Sequence, residues 1–157
     1  MMRVGFGFDV HQLVPGRELW LGGVQIPHSV GALGHSDADV LLHALCDALL
    51  GALALGDIGQ HFPNTDQKWK GADSTVLLAA VVDLVHAATW KVGNVDCTLV
   101  MERPKILPYV LEMRAVIAKL LEVPLDAVSI KATTNETMGF IGRQEGVAAH
   151  AVATVVK

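Results

Sequence analysis

Cysteine is scarce in this chain, with only Cys46 and Cys97 among 157 residues and no zinc-finger spacing between them. That excludes a disulfide framework and a cysteine-built metal knot. Cys46 falls in an apolar helical pattern and Cys97 alternates with polar residues, so both are expected to be reduced packing residues in a cytosol-like compartment. A basic block is also missing. Lys and Arg number 12 against 16 Asp and Glu, for a formal charge of -4 and a pI near 5.9, which argues against a nucleic-acid surface and toward small partners. No apolar run reaches the ~18 residues a membrane span needs, since Asp83 and His86 interrupt the one starting at Val76. The Met-Met-Arg start has neither a signal-peptide core nor a transit-type segment, and a cytoplasmic location is expected. Repeats, linkers and low-complexity stretches are absent, so residues 1–157 are expected to form one domain that buries a core without staples. A metal bound here would then be functional rather than structural. The chain also lacks a P-loop, a Ser/His/Asp order and a thiol nucleophile in a basic setting, which removes the commonest covalent and nucleotide-loop mechanisms.

Apolar residues are plentiful. At 52% hydrophobic and a mean hydropathy of +0.42, the composition implies either a well-filled core or surface hidden in an oligomer. Residues 3–13 and 19–27 read as strands separated by Pro15-Gly16, which predicts an opening β-hairpin, with a bulge or close backbone approach at Gly22-Gly23. A helix is predicted from Asp37 to about Leu53, with Ser36 or Asp37 as N-cap. A long polar loop follows, then a helix from Asp73 or Ser74 to about Trp90. "NVDCTLV" alternates as a strand, Pro108 to Glu122 reads as a helix, and 128–134 and 147–156 read as strands. The order β-β-α-α-β-α-β-β predicts an α+β fold of two layers, a mixed sheet with helices packed on one face.

The polar residues inside these apolar patterns carry the chemistry. In "GFDVHQL", Asp9 and His11 lie two apart on a strand and share a face, while Phe8 and Val10 face the other way. A third ligand is available on the first helix, where Asp39, His43 and Asp47 form a stripe at i, i+4, i+8. A solvated or capped helix histidine is the ordinary role for His43; the Asp-x-His strand favours a ligand instead. Asp47 or Asp39 could then hold the far imidazole nitrogen. Asp, His and His with a fourth position open describe a catalytic zinc site. His35 precedes the helix start, where free N–H groups favour an anion, although a turn histidine fits equally. In the long loop, Asp57, Asn64, Thr65 and Asp66 suit Asx-turn chemistry. In "KATTNE", Thr133 and Thr134 can donate to phosphate oxygens and Glu136 can take a hard divalent cation. Phosphate chemistry by positioning and charge neutralisation fits this set.

Eight blocks in order, "GFDVHQL", "GGVQIP", "GHSDADVLLHAL", "ALGDIGQHFPNTD", "KGADS", "NVDCT", "KATTNE" and "GRQEG", resemble the 2-C-methyl-D-erythritol 2,4-cyclodiphosphate synthase family along nearly the whole chain. The resemblance implies a lyase of the non-mevalonate isoprenoid pathway. Its reaction turns 4-diphosphocytidyl-2-C-methyl-D-erythritol 2-phosphate into the cyclic diphosphate with CMP release. It implies Zn2+ at Asp9, His11 and His43, and Mg2+ or Mn2+ held by Glu136 across the α- and β-phosphates. His35 and Thr134 match positions that steady the phosphates in the transition state. Asp9, Val10 and His11 match the start of the substrate site. Ser36, Asp57, Ile58, Gly59, Phe62, Pro63, Asn64, Thr65 and Asp66 match contacts to the methylerythritol part. Met101, Glu102, Arg103, Pro104, Lys105, Ile106 and Leu107, with Thr133, Thr134, Asn135 and Glu136, match the cytidine pocket. The resemblance further implies a homotrimer with sheets facing the threefold axis and active sites between subunits, which would account for the apolar excess. Phe140, Arg143 and Glu145 match residues near that axis, where some members hold an isoprenoid diphosphate.

Two segments depart from the family pattern. Glu102 and Arg103 stand where small or amide side chains are usual, and Gln144 stands where glycine is usual. Two other functions would use the same three ligands: a mononuclear zinc phosphoester hydrolase, and a non-enzymatic trimeric protein that binds a metal or an isoprenoid phosphate. The hydrolase would need a further general base close to Asp9 and His11.

Overall fold

The structure, a computed structural model, describes all 157 residues. Strand β1 (Met2–Pro15) is the organising element, and its side chains alternate strictly. Val4, Phe6, Phe8 and Val10 point to one side, while Gly5, Gly7, Asp9 and His11 point to the other. Along its length β1 pairs antiparallel with the last strand, β7 (Gly146–Val156), from Met2↔Val156 to Gln12↔Gly146. At its end it pairs with the short β4 (Val30–Ala32), Leu13↔Ala32. β7 also runs antiparallel to β5 (Lys91–Val100), and β5 runs parallel to β6 (Val128–Thr133). The mixed sheet therefore has the order β4-β1-β7-β5-β6.

The expected hairpin between residues 3–13 and 19–27 does not form. Residues 19–27 instead fold on themselves as β2 (Leu19–Leu21) and β3 (Val24–Ile26). Gly22 and Gly23, at φ +61 and +78, make the two-residue turn between them rather than a bulge. Two three-residue strands could satisfy only part of β1's backbone, whereas the eleven residues of β7 match it almost end to end.

Three long helices cover one side of the sheet: α1 (Val40–Ala52), α3 (Ser74–Ala87) and α4 (Val110–Leu121). Two single turns, α2 (Ile58–His61) and α5 (Gly139–Gly142), punctuate the connections, and α2 sits in what the sequence predicts as loop. α1 starts at Val40 with Asp39 as its cap, three residues inside the expected start at Asp37. Nearly every α1 residue is buried, as expected of a helix apolar on all sides. It lies directly on β1 because Gly5 and Gly7 carry no side chain. A Cβ at Gly5 would sit 1.8 Å from the Ala48 carbonyl oxygen, and one at Gly7 1.8 Å from that of Ala44. The result is a mixed α+β fold of the expected class. The opposite face of the sheet is bare and exposes Val4, Phe6, Phe8, Val10 and Val152.

Candidate metal centre and its cleft

The period of β1 and the close seat of α1 bring Asp9, His11 and His43 together. Asp9 Oδ2 lies 2.9 Å from His11 Nε2 and 3.1 Å from His43 Nδ1, and the two ring nitrogens are 3.3 Å apart. A tetrahedral ion with bonds of ~2.0 Å places its ligands about 3.3 Å from one another, so the three atoms already have near-ligand spacing. It is the one group of His, Cys, Asp and Glu side chains in the chain with ligand spacing.

The far sides of both rings fix which nitrogen faces inward. His11 Nδ1–H donates to the Leu33 carbonyl at 2.9 Å, leaving Nε2 as a lone pair. Ser74 Oγ–H donates to Asp37 Oδ1, so the same oxygen accepts from His43 Nε2–H at 2.9 Å, with Ser36 Oγ at 3.2 Å. His43 Nδ1 is then also a lone pair. Two imidazole lone pairs and a carboxylate oxygen converge, an arrangement that requires a proton or a cation between them. This donor set fits zinc by atom type, number and spacing. When a proton rather than a cation fills the space between them, burial pushes the Asp9 carboxyl up, but hydrogen bonds with His11 and His43 and the pull of both rings outweigh it and bring it down to about 2. Burial pushes His11 down, and the Asp9 hydrogen bond and charge more than reverse this, leaving it raised.

Neither carboxylate expected to support His43 does so. Asp39 is turned the other way, capping α1 through Leu42 N–H and accepting from Gly22 and Gly23 N–H, and its burial raises its pKa. Asp47 accepts from Ile58 N–H at 2.8 Å and so anchors α2, its pKa also raised by burial. The i, i+8 stripe reads as one face in sequence, yet a helix this buried meets a different neighbour at each turn. The true support is Ser74, at the start of α3, held in turn by Asp37 ahead of α1, and each is visible in sequence only as a helix-cap candidate.

A cleft of about 240 Å³ opens beside the cluster. Of the expected site residues, Asp9, His11, His35, Ser36, His43, Ile58, Gly59, Phe62 and Asn64 line it, with Gly34, Trp69 and Leu77 as residues the sequence reading missed. Phe62 and Trp69 meet edge to face at 4.9 Å between centroids, forming an aromatic wall. His35 Nε2 is buried there without a hydrogen-bond partner. Asp57 and Asp66 act in the chain as caps, accepting from Gln60 N–H and Lys68 N–H, and Pro63 and Thr65 are exposed on the same loop outside the cleft lining. Val10 faces the bare side of the sheet, where with Phe140 and Glu145 it lines another cavity. Arg143 is paired with Glu145 at 2.9 Å.

The other half of the expected site is separate. Met101, Pro104, Lys105, Ile106, Thr133 and Thr134 line a pocket of about 90 Å³ at the far edge of the sheet. Glu102, Arg103, Leu107, Asn135 and Glu136 lie around it without lining it, and Glu136 joins no ligand cluster within the chain. A larger cavity, about 430 Å³ between Arg17, Trp20 and Asp73, shares Ser36 and Asp37 with the structure behind the cluster but brings no ligand group together. No helix is long and apolar enough to cross a membrane.

The match to known proteins covers the whole of this architecture. The family model for the YgbB family matches residues 2–156. A 2-C-methyl-D-erythritol 2,4-cyclodiphosphate synthase of Salinibacter ruber is 63% identical over 154 residues, 98% of each chain. A solved synthase of that name in a form bound to CDP superposes with a TM-score of 0.91 at 40% identity, covering 98% of this chain and all of that one. The bifunctional IspDF of Campylobacter jejuni superposes at 0.95 and 41% identity over 99% of this chain, which spans about two fifths of that longer protein (42%). With the same fold, the same length as its curated relatives and a three-ligand cluster in its cleft, the chain belongs to the YgbB family of 2-C-methyl-D-erythritol 2,4-cyclodiphosphate synthases.

Proposed function

We infer that the chain performs the family's reaction at the Asp9, His11 and His43 cluster, acting as one domain over residues 1–157. The reaction converts 4-diphosphocytidyl-2-C-methyl-D-erythritol 2-phosphate to 2-C-methyl-D-erythritol 2,4-cyclodiphosphate and CMP. An oxygen of the substrate's own 2-phosphate forms a bond to the β-phosphorus. The bond from that phosphorus to the bridging oxygen breaks, and CMP leaves with it. The observation that carries the site assignment is the convergence of two imidazole lone pairs and a carboxylate oxygen at ligand spacing beside an open cleft.

Asp9, His11 and His43 would hold zinc, and Glu136 would help to hold Mg2+ or Mn2+. When bound, these ions supply Lewis-acid neutralisation of phosphate charge. The chain's own groups do the rest. His35, whose Nε2 has no hydrogen-bond partner within the chain, would meet a phosphate oxygen, and Thr134 Oγ would donate to another. Phe62 and Trp69 wall off the cleft, which favours the tethered phosphate over water as nucleophile. Ser36, with the Asp57–Gly59 and Phe62–Asp66 stretches, would contact the methylerythritol part. The Met101–Leu107 and Thr133–Glu136 segments would take the cytidine.

The homotrimer is supported by two features. The bare apolar face of the sheet calls for a partner. The two expected half-sites lie on β1 and β6, three strand spacings apart, roughly 14 Å, and in separate cavities, which favours a site completed by a neighbouring subunit. An isoprenoid diphosphate on the axis would have to displace the Arg143–Glu145 pair. The test is metal removal. Stripping zinc with a chelator should abolish CMP release and adding zinc back should restore it, while CMP release unaffected by stripping would refute the assignment.

A further inference from the structure

The pocket of Met101 and Thr133 has a neighbour that does not line it. Glu102, next to Met101, spends its carboxylate on another loop: Oε1 accepts the Thr137 N–H at 2.8 Å, joining segments 35 residues apart. The turn it reaches is strained. Glu136 and Thr137 have φ of 51 and 61, two consecutive left-handed residues without a glycine, the second β-branched. Such a pair persists only when its surroundings hold it. On one side Gly142 packs against it so closely that a Cβ there would lie 2.0 Å from the Thr137 carbonyl carbon. On the other side stands Glu102.

We propose that Glu102 is a positioning residue, which by accepting the Thr137 N–H fixes the left-handed turn that aims Glu136 and Thr134 at the phosphates. The proposal rests on the functional reading above, in which those two residues meet the phosphates and the second cation. Thr134 is tied to the same turn, since its Oγ accepts from Glu136 N–H at 3.3 Å. Without the acceptor, the Thr137 N–H turns to water and the left-handed pair relaxes toward ordinary backbone, carrying the Glu136 carboxylate away. Glu102 therefore acts through the turn, with its Oε1 spent on the Thr137 N–H.

The experiment measures CDP binding by calorimetry with Mg2+ present, on the zinc-loaded chain and on E102A and E102Q. Loss of a hydrogen bond to a carboxylate should weaken CDP binding about tenfold in E102A. Its half-saturating Mg2+ should rise while its zinc content stays that of the parent. E102Q keeps an acceptor oxygen at the same reach and should return to within about twofold of the parent. Equal CDP affinity in E102A and parent overturns the proposal, and so does an E102Q as weak as E102A. If E102A does not fold, hydrogen exchange at the Thr137 amide decides: protection in the parent and in E102Q supports the bond, and free exchange in both overturns it. A parent that binds no CDP at all refutes the functional reading, and the proposal falls with it.

Discussion

Residue by residue, the two histidines of the proposed metal site are each held from behind. His11 is fixed by the Leu33 carbonyl, and His43 by Ser74, itself held by Asp37. His43→Ala removes one donor of three, and zinc should fall to background while the apolar helix persists. Ser74→Ala is the subtler test. It removes the nearer acceptor of His43 Nε2–H together with the bond from Ser74 Oγ to Asp37, so zinc affinity should drop ten- to a hundredfold with the fold intact, as read by competition with a chelator. Unchanged affinity would mean the relay is idle. Acid also acts here, with a definite sign. Asp9 is depressed to about 2, so its contribution to the stability of the metal-free chain is present above the ordinary 3.8 and lost as pH falls toward 2. His11 is raised, so its contribution is full below 6.5 and lost as pH rises through its higher folded value. Zinc binding runs the other way, because the His11 proton must leave. Zinc affinity should climb about tenfold per pH unit below that raised value and level off above it, and a pH-independent affinity would exclude His11 as a ligand.

At the level of elements, the site depends on how closely α1 can approach β1. Gly7→Ala puts a methyl group into the Ala44 carbonyl and should cost about 3 kcal/mol, lifting α1 and with it His43, so melting temperature and zinc affinity fall together. Gly16→Ala meets nothing within 4 Å and pays only for its φ of +78, about 1 kcal/mol, with zinc affinity unchanged. The same comparison shows how far the sequence could be read. Alternation put Asp9 and His11 on one face, and the helical period placed His43 on a helix, because both are local rules. The pairing of β1 with β7 joins residues more than a hundred positions apart, and nothing local to Leu13 or Gly22 reports it. Ser74 was legible as a helix start but not as the support of His43, because that contact depends on how α3 docks against α1.

For the whole molecule, the proposed trimer rests on the bare face of the sheet and on two pockets that one chain keeps apart. A chain with Val4, Phe6, Phe8 and Val10 exposed in a row should not remain alone in solution. Phe8→Asp sets a charge in the middle of that row and should give a monomer by light scattering. That monomer should keep zinc, since the cluster lies on the other side of the sheet, but should lose CMP release because its site lacks the neighbour's half. A monomer with full activity would show that one chain suffices. The most direct measurement takes the parent with zinc and Mg2+, adds 4-diphosphocytidyl-2-C-methyl-D-erythritol 2-phosphate, and identifies the products by phosphorus NMR. The account requires the cyclic diphosphate and CMP in equal amounts, and a linear product formed with water, or intact substrate, would contradict it.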